Sequence, residues 1–272
     1  MPPQKTPLPT VRNADWPSNE LDRFILAKLE AVGVAPSKQA PRPALVRRLY
    51  LDLTGLPPSP REALAFVQDD SPEAYFRLVE RLLASPHFGE RQAQNWFDLA
   101  RFADTSGYAA DRTRNVWPYR DWVIAALNDN MPFDRFSIDQ IAGDLVLNAT
   151  PEQRLASAFH RHSMQAKGNN PRKEEFRIKG IVDRLQATGR TWLGLTLECA
   201  ECHDHKHDPI SQREYYELFA IFNNVPHLGT GYGVHGPTMQ YTPLEARLDQ
   251  ERLAKRLDEL QSKIGALGQA KF

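Results

Sequence analysis

Cysteine is scarce, at two residues in 272, too few for a disulfide framework. Net charge is missing as well, since 34 Lys and Arg stand against 34 Asp and Glu. The composition therefore gives no electrostatic reason to expect nucleic acid or a charged membrane surface as partner. No apolar run approaches the roughly 18 residues that a membrane span requires. The opening residues, Met1-Pro-Pro-Gln-Lys-Thr-Pro-Leu-Pro, hold no apolar h-region of a secretory signal. Period-two alternation is rare, which leaves little for strands.

What is abundant is proline, 21 of 272 residues where about 5% is usual, and it predicts short helices with firm stops. Hydrophobic residues at 41% and charged residues at 25% are ordinary for a folded chain long enough for one large or two modest domains. Residues 1–15 read as an extended, proline-rich lead-in. Ser18 reads as an N-cap for a helix whose stripe is Leu21, Phe24, Ile25, Leu29 and Val32, stopped by Gly33. A second helix fits Pro43 to Thr54, stopped by Gly55. Ser59-Pro60-Arg61-Glu62 is a capping box with proline at the first helical position. Ser71-Pro72 and Ser85-Pro86 read as further starts, the former with Tyr75, Phe76, Val79, Leu82 and Leu83 inward. Helices are expected over Tyr119–Asn128, Phe133–Leu147 and Pro151–Arg161, then a long helix or helix pair over Glu174–Leu197. Ser211-Gln-Arg-Glu214 is a second capping box. The expected fold is all-α: a helical domain over 16–225, a glycine-rich linker over 226–242, and a helix over 243–272. In that last helix Leu253, Leu257, Leu260 and Ile264 form a short a/d seam, read as packing on a neighbour rather than as an independent coiled coil.

The chemistry concentrates in Cys199-Ala200-Glu201-Cys202-His203. C-x-x-C-H is the attachment pattern for c-type haem. Residues i and i+3 lie one turn apart on one face, so both sulfurs can reach the vinyl groups on one edge of a porphyrin. His203 then follows as proximal iron ligand. Candidates for the sixth iron ligand are His160, His162 and Met164. A zinc reading is the alternative, with Cys199, Cys202, His205 and His207 as ligands. A redox C-x-x-C and an accidental cysteine pair also remain open. A second polar cluster, Asp104, Tyr108, Asp111 and Arg112, precedes Tyr119, Arg120 and Asp121. It suits a polar substrate such as carbohydrate, or haem propionates, and equally an ion-pair network that fixes a loop.

At these residues the sequence resembles the domain family of unknown function from planctomycete-type secreted cytochrome-like proteins (a PSCyt-type domain). The likeness runs from about Trp16 to Val225. It rests on Asp22-Arg-Phe-Ile-Leu-Ala, Leu51-Asp-Leu-Thr-Gly-Leu-Pro-Pro, Tyr119-Arg-Asp-Trp, Gln140-Ile-Ala-Gly-Asp-Leu, Glu175-Phe-Arg and Leu195-Thr-Leu-Glu-Cys-Ala-Glu-Cys-His-Asp-His-Lys-His-Asp-Pro-Ile. The resemblance implies an exported, periplasmic or secreted protein whose Cys199, Cys202 and His203 fill the family's cysteine-cysteine-histidine motif. It also implies a further domain downstream, so the chain, which stops at Lys271-Phe272, reads as a piece of something longer. Where the family tends to carry Asn-x-Glu-Gly-Gly, this chain has Ala166-Lys-Gly-Asn-Asn170. Met164 stands where leucine is frequent, and His207 where an aromatic residue is. The resulting expectation is a covalent haem c domain working in electron transfer, with a donor or acceptor protein or a fused domain as its redox partner. A zinc enzyme or a scaffold stapled by the Cys-His segment is the alternative.

Overall fold

The computed structural model describes residues 5–108, 111–167, 172–225, 230–231 and 238–269. The fold is all-α. Its helices are α1 (Glu20–Ala31), α2 (Arg42–Thr54), α3 (Pro60–Gln68), α4 (Ala74–Leu83), α5 (Pro86–Ala100), α6 (Trp117–Asn128), α7 (Phe133–Ala142), α8 (Pro151–Ala156), α9 (Lys173–Thr188), α10 (Gln212–Asn223) and α11 (Leu244–Gln269). Two-residue strands, β1 (Ala166–Lys167) and β2 (Thr230–Gly231), pair in parallel. The expected linker, 226–242, otherwise lies largely outside the described residues.

Local chemistry sets the boundaries. The side chains of Ser59 and Ser211 accept the backbone N–H of Glu62 and Glu214, and each glutamate reaches back to the cap's own N–H. Both capping boxes therefore form as the sequence predicts, and Thr150 with Gln153 adds a third at α8. Gly55 ends α2 with φ 71°, a left-handed conformation that costs other residues about 1–2 kcal/mol.

Several expectations need correction. The cap of α1 is Asn19, in a box with Asp22, rather than Ser18. Leu26 is the buried residue of that helix, while Leu21, Ile25 and Val32 are exposed. On α4 the start falls at Ala74, and the buried stripe is Ala74, Leu78 and Leu82, with Tyr75, Phe76 and Leu83 outside. Small Ala74 admits the close approach that Tyr75 and Phe76 would block. The segment after Phe133 leaves α-geometry at Ala142 and finishes as a 3₁₀ turn over Gly143–Leu145. The expected long helix to Leu197 ends at Thr188 and becomes a π turn, Gly189–Leu193, closed by Gly194. Among the described residues the seam of α11 has no cover: Leu253, Leu257, Leu260 and Ile264 are exposed, and an Arg247–Glu152 ion pair holds its first turn.

Three buried clusters carry the fold. One joins α2, α3 and α4 through Val46, Tyr50, Phe66, Leu78 and Leu82. The central one joins α5, α6, α7 and α8 through Ala93, Tyr119, Trp122, Val123, Phe136 and Ala156, with Phe159 from the turn after α8. The third packs α9 on α10 through Ile181, Leu185, Tyr215 and Phe222, and draws in Leu197 and Ala200. Through those last two residues the cysteine segment is fastened to the core.

Candidate functional site

Leu197 and Ala200, three residues apart, point inward from a 3₁₀ turn over Glu198–Glu201. Gly189 lets Leu197 in: a Cβ there would lie 2.6 Å from Leu197 Cδ1. Because a 3₁₀ turn repeats every three residues, burying positions 197 and 200 leaves Cys199 and Cys202 together on another side. Both thiols are free and exposed. The backbone N–H groups of Cys202 and His203 both donate to the Cys199 carbonyl, at 3.3 and 3.4 Å, so the motif closes on itself.

Helix α10 holds the segment in place. The Glu201 carbonyl accepts from Gln212 Nε2 at 3.1 Å and from the Tyr216 hydroxyl at 3.0 Å. Asp204 Oδ1 accepts the Gln212 backbone N–H at 2.8 Å, occupying an otherwise orphaned helix-end donor. Beneath the turn, burial pushes the Tyr215 phenol up to about 12, with Glu201, Tyr216 and Cys202 adding to the effect.

The histidines of the motif differ in what they have free. His203 is exposed, and its Nδ1 lies 2.8 Å from the Asp204 carbonyl oxygen. A carbonyl only accepts, so Nδ1 carries a proton, and in the neutral ring Nε2 then holds the lone pair. His205 is nearly buried, and its Nδ1 accepts the backbone N–H of Asp208 at 2.8 Å and of His207 at 3.3 Å. That ring is committed to shaping the loop, together with the His205 N–H to Ile210 carbonyl bond of 2.8 Å. His207 is exposed. Among the described residues no group of three or more His, Cys, Asp or Glu side chains converges as a metal cage would.

The three residues expected as a sixth ligand have distinct surroundings. Met164 is exposed and packs against Gly107. His162, 3% exposed, lies 4.6 Å from the Tyr119 ring and 5.3 Å from Phe102. His160 sits between Phe159 and Phe222, 5.2 Å from each. Among the described residues His162 has no hydrogen-bond partner, and His160 has only the backbone of Ile141 within reach, short of good hydrogen-bond geometry. Both are pushed down to about 3, first by burial and then by guanidinium groups: Arg101 and Arg184 beside His160, and Arg114, Arg101 and Arg161 beside His162. The backbone of Ile141 opposes that push at His160.

The polar loop is a small hairpin. Thr105 bridges Thr113, Ser106 Oγ accepts the Arg112 N–H at 3.0 Å, and Asp111 Oδ1 accepts the Gly107 N–H at 2.8 Å. The Thr105 hydroxyl, followed by that N–H, holds the Asp111 carboxyl below its ordinary range. Tyr108 packs edge-on against Phe176 at 5.2 Å, and Arg120 pairs with Asp121 at 3.1 Å. Asp104 offers its carbonyl to the Arg114 N–H at 2.7 Å. The Arg114 guanidinium then donates to the carbonyls of Ala103, Arg161, His162 and Ser163, clamping the hairpin to the histidine segment.

Sequence reasoning passed over Arg101, Arg114, Asp183 and Arg184. One signal was present: Arg184 falls between Ile181 and Leu185 on the stripe that α9 buries, a charge at a core position. A separate cleft of about 300 Å³ between the ends of α2 and α4 is lined by Tyr50, Glu62, Arg81 and His87 among others. Its phenol is partnered, since Arg81 donates to Tyr50 Oη at 2.9 Å.

No curated protein and no solved structure matches the chain. Residues 20–227, most of its length, match the family model PSCyt2, described as a protein of unknown function (DUF1549). The chain belongs to the PSCyt2 family.

Proposed function

We propose that this domain is an exported c-type haem protein that transfers electrons to or from a partner protein or a fused domain. One observation carries the reading: beside two exposed thiols on one turn stands an imidazole whose Nδ1 proton is fixed by a carbonyl, leaving Nε2 as a donor. That donor set fits haem c. Proximal histidines ordinarily give their second ring N–H to such an acceptor, which sets the tautomer and raises ligand basicity. A haem bound here supplies reversible one-electron chemistry at iron.

The chain's own residues divide the work. Cys199 and Cys202 would hold the haem through two thioether bonds, each thiol's sulfur and hydrogen ending on neighbouring carbons of one vinyl group. His203 would offer its Nε2 lone pair to the iron, with the Asp204 carbonyl holding the ring in that tautomer. The Gln212 and Tyr216 hydrogen bonds to Glu201 keep the turn on α10, so the thiols are presented on a fixed support. Attachment of this kind suits an exported protein matured outside the cytoplasm.

The test is expression with export and a haem-attachment system. The expected sample shows a Soret band and a mass increment of one haem that survives denaturation, both abolished by Cys199→Ala. A correctly exported, folded sample that stays colourless overturns the reading, and stoichiometric zinc in that sample would replace it with the metal alternative.

A further inference from the structure

Arg184 is 1% exposed, and among the described residues its Nε and Nη2 donors have no acceptor. Burying a guanidinium is costly, and stranding its donors adds to that cost. Its surroundings deepen the cost: Arg161 and Arg101 bear on it from nearby, with Asp183 as the opposing carboxylate. Asp183 also pairs with Arg101 at 3.0 Å, so one carboxylate serves both guanidiniums. Arg101 sits over the Phe159 ring, 5.7 Å from its centre, and His160 touches the opposite neighbours Phe159 and Phe222. The same few residues therefore gather Arg101, Arg184 and the buried His160 ring, with the buried, unpartnered His162 ring within electrostatic reach of Arg101, while the backbone at Arg101 takes φ 57°.

We propose that Arg101, Arg184, His160 and His162, between α5, the turn at Ser157–Arg161 and α9, form a binding site for a small oxyanion or carboxylate group. The sign of the charge excludes a metal cation, for which two histidines would otherwise be a lure. A carboxylate, phosphate or sulfate supplies the acceptors that the guanidinium forks lack, and planar forks recognise such groups in two-point fashion. Neutral imidazoles then donate a ring N–H to the same ligand. The entry lies at Arg101 and Asp183, whose side chains are 23% and 36% exposed, and an arriving anion takes over from Asp183 as counter-ion to Arg101. The inference is independent of the haem reading, since it uses none of Cys199, Cys202 or His203.

Calorimetric titration of the full chain with sodium phosphate, sodium sulfate and sodium malonate, each against chloride of matched ionic strength, tests it. The expected result is saturable one-to-one binding of at least one of the three, and the preferred probe separates a tetrahedral oxyanion from a carboxylate ligand. Arg101→Gln and Arg184→Gln each weaken it roughly tenfold or more. Should Arg184→Gln fail to fold, the partly exposed Arg101→Gln decides. Absence of saturable binding by all three probes, or unchanged affinity in folded Arg101→Gln, overturns the proposal.

Discussion

Gly89 donates its backbone N–H to the side-chain carbonyl of Asn128, 2.8 Å away. Asn128 Nδ2 in turn donates to the Pro86 carbonyl at 3.1 Å. One amide thereby pins the first turn of α5 against the last turn of α6. A Cβ on Gly89 would lie 2.5 Å from the Ile124 carbonyl oxygen, so the close approach excludes any larger residue. Gly89→Ala is expected to destabilise by about 1–3 kcal/mol through overpacking. Asn128→Ala should cost about 1–2 kcal/mol by stranding the donor. Urea midpoints of the two variants check both values.

Acid weakens this protein through His160 and His162. Their folded values lie near 3, against an ordinary 6.5, so between those limits the unfolded chain binds more protons than the folded one. The stability contributed by the neutral rings is full above about pH 6.5 and is lost as pH falls toward 3. Glu62 and Asp69, whose carboxyls are held low, reinforce this only below about pH 4.5. From pH 7.5 to 5 the urea midpoint should therefore fall, with a slope of up to about 1.4 kcal/mol per pH unit for each ring. His162→Phe, surrounded by Phe102 and Tyr119, should roughly halve that slope. A flat profile in the parent protein would contradict the burial of both rings.

Replacing both cysteines separates folding from cofactor attachment. The thiols are exposed, and Leu197 and Ala200 do the anchoring. Cys199→Ser with Cys202→Ser should leave the unfolding free energy of unloaded protein within about 0.5 kcal/mol of the parent. The same pair should remove all covalent haem from exported protein. A collapse of the fold in the double variant would make these residues structural.

Cutting the chain after Leu248 should leave the urea midpoint unchanged within about 0.5 kcal/mol. The reason is that α11 is exposed from Leu248 through Ile264, while the Arg247–Glu152 pair is retained. The loss of helix should register in far-ultraviolet circular dichroism at 222 nm without a change in cooperativity.

Helix punctuation was legible in this sequence because it is local. A serine three residues before a glutamate satisfies the same two donors wherever it occurs, and Ser59–Glu62 and Ser211–Glu214 behave so. The facing of α1 and α4 was not, because apolar side chains cover much of both helices and the choice of inner face depends on partners distant in sequence. Alanine at position 74 carries little hydrophobic weight by itself, yet its size decides how α4 lies. The motif's histidine tautomer was equally hidden, since it follows from where the Asp204 carbonyl turns. His160 and His162 were visible as ligand-type residues, but their surroundings of Arg101, Arg114, Arg161 and Arg184 come from four separate segments. Arg161 adjoins both histidines in sequence, but no spacing rule connects the other three.

The grip of Arg114 on the carbonyls either side of His162 makes the surface hairpin a lever on the interior. Any molecule that tugs at Asp104–Arg112 pulls the same guanidinium, and with it the peptide groups that seat the imidazole. A perturbation applied at the skin of the protein is thus conveyed, through one planar cation, to an imidazole sealed in the interior.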